Sequence, residues 1–349
     1  MQIKIIEFTG LLVLEEEHFH EVKPGLSSYA TNPEAGADSI SSLLSLAQNK
    51  VPKEKWSKVP VTLRATAGLR LIPSDQSTAL LNAVEQRLVK AGLDSRGVGM
   101  LSELDEGLFG WLTVNYLMEQ LPQPKKSYVA LDLGGGSTQI TFQPKYEETL
   151  ASSPASHLHQ VKVSGGTQTL YSHSYLGLGL MAARKAIFSW NNRENTTHLM
   201  SPCMVLDLVP WEYQGRHYKI SSSRTLPGYE ACMLAVQAVI DKLGVDQCKE
   251  VPTRKIAAFS YFHDRAVDAG MLAPGSSGVL TVQQFLDSAK TACTTSTPDQ
   301  PFLCVDLTYI AGLLHHGYRL DPTALLGLYK QIGGFQTSWA LGAAFNMLE

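Results

Sequence analysis

From residue 132 the chain reads Asp-Leu-Gly-Gly-Gly-Ser-Thr-Gln, with apolar stretches on both sides. Gly134, Gly135 and Gly136 bring bare backbone N–H groups close to whatever fills the turn. A loop without Cβ atoms can form an anion-binding nest, to which Ser137 adds a hydroxyl donor. Asp132, closing the first apolar stretch, is placed to hold a hydrated metal ion that accompanies phosphate. Magnesium keeps several waters and takes few direct protein ligands, so one carboxylate suffices. A glycine triplet alone would equally serve an ordinary tight hairpin; the Asp before it and Ser-Thr-Gln after it favour phosphate binding. No Gly-Lys-Ser/Thr opens a helix here, which excludes a Walker loop.

The elements that must position this loop are a strand at Tyr128–Leu133 and a second strand at Thr138–Phe142. A helix is expected from Gly107 to Met118, with Leu108, Trp111, Leu112 and Tyr116 as its apolar face. Upstream, Gln2–Phe8 and Leu11–Leu14 have strand character and flank a glycine-containing turn. Ile40, Leu43, Leu44 and Ala47 follow helical spacing with Asp38 or Ser39 as N-cap. Val59–Arg64 reads as a buried strand, and Leu81, Val84, Leu88 and Ala91 as a helix closed by Gly92. Strand and helix alternating in this way predict an α/β architecture, with a second α/β unit starting near residue 103.

A chain of 349 residues predicts two domains, and 44% hydrophobic with 17% charged residues describes a globular protein. A net charge of -3 gives no case for nucleic acid as a partner. No apolar run reaches the length needed to span a bilayer, and Met1–Ile5 lacks the apolar region of a signal peptide. Asn195-Thr196-Thr197 is a glycosylation sequon. The five cysteines, Cys203, Cys232, Cys248, Cys293 and Cys304, lie in the second half, and their spacing does not suit a zinc site. Two disulfides with one thiol left over, or buried free thiols, both satisfy that spacing. His18 and His20 have strand spacing on one exposed face, His315 and His316 point apart on a helix with no third ligand evident, and all four are read as solvated side chains.

Five segments in order resemble the conserved regions of the GDA1/CD39 nucleoside triphosphate diphosphohydrolases. They are Ala65-Thr-Ala-Gly-Leu-Arg70, Asp105-Glu-Gly-Leu-Phe-Gly-Trp-Leu-Thr-Val-Asn-Tyr116, Ala130–Ile140 around the glycine loop, Ala258-Phe-Ser-Tyr-Phe-His-Asp264 and Ser338-Trp-Ala-Leu-Gly-Ala343. Tyr171–Gly177, Phe259–Asp268 and Phe302–Ile310 look most like the soluble members of types 5 and 6. The resemblance implies a two-domain actin-like (ribonuclease H-like) α/β fold with mixed sheets flanked by helices. It places domain I at 1–102 plus 336–349 and domain II at 103–335. It implies hydrolysis of nucleoside diphosphates, UDP and GDP, and more weakly of triphosphates, by a monomeric secretory-pathway enzyme that requires calcium or magnesium. It also implies disulfides Cys203–Cys232 and Cys293–Cys304, leaving Cys248 free.

Hydrolysis of a phosphoanhydride needs a positioned water, a base and donors facing the phosphoryl oxygens. By the resemblance Glu106 is the base, while Glu103 and Asp105 are better explained as charges in a first helical turn. Ser137 and Gln139 would orient the water, Gly134–Gly136 would cradle phosphate, Asp132 would serve the metal, and Thr66 would contact a metal-bound water. Arg70 serves either the site or a structural ion pair. Tyr309 is expected to stack on the base, supported by Phe262 and Tyr261, although both of these also fit a core strand. His263-Asp264 replaces the aromatic run of triphosphatase relatives, so their base pocket does not carry over closely. Gln2–Phe8 matches only the second strand of the first domain's hairpin, and the family's first loop should stand before it. On this reading the first strand of domain I is missing and the chain as written is weakly active or inactive. A non-catalytic nucleotide-binding form and an exopolyphosphatase of the same superfamily are the alternatives.

Overall fold

The computed structural model describes residues 2–9, 13–121, 123, 126–163, 166–223, 228–295 and 297–348. The chain divides into two compact units, 1–106 with 214–216 and 340–349, and 107–213 with 217–339.

In the first unit β1 (Gln2–Thr9) and β2 (Val13–Glu21) pair antiparallel; the expected Gly10 turn and the start of the second strand at Leu11 lie outside the described residues. Two helices follow, α1 (Pro33–Ser39) and α2 (Ser41–Lys50). The cap expected at Asp38 or Ser39 for the helix of Ile40, Leu43, Leu44 and Ala47 is not formed: Ile40 precedes α2 without a side-chain cap, while α1 is capped by Asn32, whose side chain accepts from the Ala35 N–H at 3.2 Å, with Pro33 opening the helix. Asn-Pro supplies both the cap oxygen and a helical φ earlier in the chain, so Asp38 and Ser39 fall inside α1. Asp38 is left to pair with Arg87. Next come β3 (Pro60–Ala65), α3 (Ala67–Arg70), α4 (Ser74–Lys90) and β4 (Asp94–Met100), with β3 and β4 parallel and α4 between them in sequence. Ile40, Leu44, Leu69, Leu80, Val84 and Leu88 form the core beneath them. The expectation that β3 is a buried strand is corrected. Only Ala65 is buried, because among the described residues β3 hydrogen-bonds to β4 alone.

The helix α5 (Glu103–Leu117) starts in the first unit and continues as the first element of the second. Ser102 caps it, its hydroxyl accepting from the Asp105 N–H at 3.0 Å. The four-residue apolar face expected for α5 is too narrow. Leu112 and Tyr116 are only half-buried, whereas Thr113 and Asn115 are wholly inside. Asn115 can be buried because its amide is satisfied, donating to Trp111 O (3.0 Å) and accepting from the Tyr128 N–H (2.8 Å). That bond ties the helix to the entrance of the next strand.

The second unit continues with β5 (Val129–Leu133), β6 (Ser137–Phe142), α6 (Glu147–Ser152), β7 (Leu158–Val163), β8 (Gly166–Leu176) and α7 (Leu180–Ser189). Then follow β9 (His198–Ser201), β10 (Val209–Tyr213), β11 (Arg216–Ser222), α8 (Tyr229–Leu243), β12 (Ile256–Ser260) and α9 (Tyr261–Asp268). β13 (Gly278–Thr281), α10 (Val282–Thr295), α11 (Leu303–Gly312), β14 (Leu325–Leu328), β15 (Gln331–Ile332), β16 (Phe335–Gln336) and α12 (Trp339–Leu348) complete the chain. Seven strands form a mixed sheet in the order β13-β14-β12-β5-β6-β8-β7, with β14, β12 and β5 parallel and the remaining pairs antiparallel. Every residue of β5 is buried, as expected of a central strand covered on both faces. No helix among the described residues is long and apolar enough to cross a membrane.

The disulfides Cys203–Cys232 and Cys293–Cys304 are both formed, and Cys248 is a free, half-buried thiol. They close loops with sequence separations of 29 and 11 residues, and each such bridge is worth roughly 2–4 kcal/mol. Thiol titration of unfolded, unreduced protein is therefore expected to give one free cysteine, and five would contradict both bridges.

Candidate active site

The glycine loop is the turn of the β5–β6 hairpin, closed by the Gly134 N–H donating to Ser137 O at 3.0 Å. None of its three glycines adopts a left-handed φ. The loop is fixed from behind. The carbonyls of Gly134 and Gly135 accept from Leu180, Met181 and Ala182, at 2.9, 3.0 and 3.0 Å, and Gly136 O accepts from Gly177 at 2.8 Å. The N-terminal amides of α7, which have no partners within their own helix, are thus used to hold the loop. Among the described residues no hydrogen bond engages the N–H of Gly135 or Gly136. Gly179 makes this packing possible, since a Cβ there would lie 2.3 Å from the Ser137 nitrogen and 2.4 Å from that of Gly136. Gly179→Ala is expected to displace the loop and cost roughly 1–3 kcal/mol of stability in urea unfolding. An unchanged midpoint would show that the contact is not tight.

Asp132 and Gln139 are directly paired across β5 and β6, so their side chains share one face of the sheet. Gln139 is held by its own amide, which donates to Ser137 Oγ at 2.7 Å and to Ser174 Oγ at 2.9 Å. Its Oε1 is buried without a hydrogen-bond partner, and so is Oδ1 of Asp132. Burial pushes the Asp132 carboxyl up to about 6, against a hydrogen bond from Ser260 that pulls it down. Unsatisfied buried acceptors are costly. Two oxygens on one face suit a hard divalent cation with part of its water shell. Sequence reasoning missed Ser260. It ends β12, which runs parallel beside β5, and has φ 57° and ψ -129°, a strained conformation for a residue with a side chain. Its one signal in the sequence is a serine closing the buried run Ile256–Phe259.

In the first unit, Thr66 follows β3 and Glu106 lies in the first turn of α5 after β4. Their preceding strands are paired and parallel, with Ala65 opposite Met100, so both residues stand at carboxyl ends, where open α/β sheets bind ligands. Glu106 is buried, and its Oε2 lies 2.5 Å from Nη2 of Arg70, while Nη1 of Arg70 lies 3.0 Å from Glu103 Oε1. Arg70 is therefore an ion-pair partner of the candidate base. Gly107, next to Glu106, begins the second unit. A Cβ there would come within 2.7 Å of Thr141 Oγ1 and 2.6 Å of Ser172 Oγ, so the helix backbone packs directly on β6 and β8.

The expected residues thus form two groups: Thr66 and Glu106 in the first unit, and Asp132, Gly134, Gly135, Gly136, Ser137 and Gln139 in the second. The stacking role expected of Tyr309 and Phe262 does not fit their positions. Tyr309 is 1% exposed, and its hydroxyl donates to Leu178 O. Every residue of α11 from Cys304 onward is buried, so the ring has no open face. Phe262 is 0% exposed in the same core. Half-buried Tyr261 carries the Arg265 guanidinium 5.5 Å from its ring centroid. The histidine pair expected to be merely solvated is hydrogen-bonded instead, His315 to Leu320 O (3.0 Å) and His316 to Asp241 (2.7 Å). These contacts point the two rings to different partners.

Residues 8–349 match the family described as GDA1/CD39 (nucleoside phosphatase). The ectonucleoside triphosphate diphosphohydrolase 5 of Gallus gallus is 40% identical over 346 residues, covering 96% of this chain and 81% of that protein. The nucleoside diphosphate phosphatase ENTPD5 of Homo sapiens is 38% identical over 349 residues, covering 97% and 81%. The solved structure of nucleoside triphosphate hydrolases from Neospora caninum aligns with a TM-score of 0.60 at 14% identity, covering 90% of this chain and 79% of that one. That likeness shows the fold, which is mixed α/β. With matched residues that include the glycine hairpin, the Glu106 helix and the strand ending at Ser260, the chain belongs to the GDA1/CD39 nucleoside phosphatase family.

Proposed function

We propose that this protein hydrolyses the terminal phosphoanhydride of nucleoside diphosphates, UDP and GDP foremost and triphosphates more slowly, with calcium or magnesium bound. The observation that carries this reading is the pair of buried, unpartnered oxygens, Asp132 Oδ1 and Gln139 Oε1, beside a glycine turn. When bound, the cation would neutralise phosphate charge and orient the phosphoryl group that is transferred to water. Asp132 holds its hydration shell. Water attacks the terminal phosphorus, the bond to the bridging oxygen breaks, and nucleoside monophosphate and inorganic phosphate leave. Glu106 accepts the proton that the water loses, and its ion pair with Arg70 fixes the carboxylate. Gln139 and Ser137, locked to each other and to Ser174, orient the water. The amides of Gly135 and Gly136 donate to phosphoryl oxygens, and Thr66 contacts a metal-bound water. The two disulfides support maturation in an oxidising compartment such as the secretory pathway. The test pairs nucleotide-dependent thermal stabilisation with phosphate release on one preparation. Stabilisation by UDP together with release supports hydrolysis, whereas stabilisation without release would make the chain a nucleotide-binding protein.

A further inference from the structure

Side chains alternate along β8, so Ser172 and Ser174 face one way and Tyr171, His173 and Tyr175 the other. Ser174 serves Gln139. The opposite face takes part in a cluster that hydrolysis does not use. His157 is buried in the turn before β7, and its ring stacks on that of His173 with centroids 3.9 Å apart and 31° between planes. Asp246, exposed in the loop after α8, places Oδ2 3.8 Å from His157 Nδ1. The carboxylate is positioned by Tyr175, whose hydroxyl donates to Oδ2 at 3.4 Å and accepts from the Asp246 N–H at 3.1 Å. One ligand atom from each of His157, His173 and Asp246 lies within 4.8 Å of the other two.

We propose that His157, His173 and Asp246 form a second metal site, for a borderline transition-metal ion such as zinc, distinct from the oxygen-donor site at Asp132 and Gln139. Two imidazole nitrogens and one carboxylate are a zinc donor set, whereas calcium and magnesium prefer oxygen alone. Tetrahedral zinc with bonds of about 2.0–2.2 Å sets neighbouring donors roughly 3.3–3.6 Å apart. The 3.8 Å between Asp246 Oδ2 and His157 Nδ1 needs little closure. The His157 and His173 rings lie against each other with centroids 3.9 Å apart, and a neutral imidazole, the form a metal binds, predominates near pH 7. The exposed Asp246 gives an entry path, and water completes the tetrahedron. Metal on His157 Nδ1 displaces that atom's present contact, the Tyr171 hydroxyl at 3.1 Å. The three thiols that also cluster, Cys232, Cys293 and Cys304, are all committed to disulfides. The consequence is mechanical. Zinc would fasten the turn before β7 and the loop after α8 to β8, the strand whose Ser174 holds Gln139.

The experiment titrates zinc chloride into metal-stripped protein in calcium-containing buffer, read by calorimetry and by thermal melting. One zinc is expected per chain, with a rise in melting temperature. Asp246→Asn and His173→Gln should each weaken zinc at least about tenfold, the smallest loss usual even for partners that only touch a metal ligand. Asp246→Asn changes an exposed side chain, so its zinc-free melting temperature should match the unsubstituted protein and keep the test valid if His173→Gln unfolds. Cys248→Ser and Asp132→Asn should bind zinc unchanged. No zinc uptake, uptake indifferent to Asp246→Asn, or uptake lost in Cys248→Ser or Asp132→Asn would overturn the proposal.

Discussion

Glu106→Gln is expected to lower phosphate release from UDP by about a hundred- to ten-thousandfold, the usual loss when a general base is removed. UDP binding should stay within a few-fold, because the carboxylate acts on water and not on nucleotide. Glutamine keeps the shape and leaves Arg70 an oxygen acceptor where Oε2 now lies 2.5 Å away, so the ends of β3 and β4 stay in place. Glu103 also contacts Arg70 at 3.0 Å and shares in holding it. Turnover within tenfold of the unsubstituted protein would remove Glu106 from the mechanism. Loss of binding together with turnover would make its role structural.

Asp132→Asn has the second large effect, and it has two signatures. Neutralising the cation's carboxylate should raise the calcium or magnesium concentration for half-maximal activity by at least roughly ten- to a hundredfold, the range already seen for outer partners of metal ligands. The other signature is in stability. Without cation, burial raises the folded-state carboxyl from its ordinary 3.8 to about 6. The folded protein then holds the proton more tightly than the unfolded chain, so stability is highest at acid pH and falls as pH rises from about 4 through 6. Each tenfold gain in proton affinity on folding is worth about 1.4 kcal/mol, so the loss is roughly 3 kcal/mol. Added cation binds the ionised form and should restore stability above pH 6 far more than at pH 4. Urea unfolding in chelator at several pH values checks this. Asp132→Asn should abolish that component of the slope, and an identical slope in the variant would refute the assignment.

The hairpin was legible because its signal is local. A buried apolar strand, an aspartate, three glycines and a second strand are consecutive in the chain, and the structure folds them as β5, turn and β6. The helix carrying Glu106 was legible for the same reason, with acidic residues ahead of a long apolar segment. Residues that depend on distant partners were not legible. Gln139 is oriented by Ser174, which lies on β8, and Ser260 reaches Asp132 only because β12 runs beside β5. No local pattern announces a serine at positive φ. Tyr309 failed differently: an apolar helix reads alike whether it lines a pocket or is enclosed, and the hydroxyl bond to Leu178 O that encloses it comes from across the chain. The cap predicted at Asp38 or Ser39 failed because a separate helix, α1, starts at Asn32-Pro33 and runs through both residues, leaving Ile40 before α2 with no side-chain cap.

The most direct test of the account is inorganic phosphate release from UDP, GDP, ATP and polyphosphate at matched concentrations, with calcium and then magnesium. Release should be fastest from UDP and GDP, slower from ATP and at least about tenfold slower from polyphosphate, and it should disappear in chelator. Release from polyphosphate with none from UDP or GDP, or release from UDP undiminished by chelator, would contradict a cation-assisted nucleoside diphosphatase built on Asp132, Gln139 and Glu106.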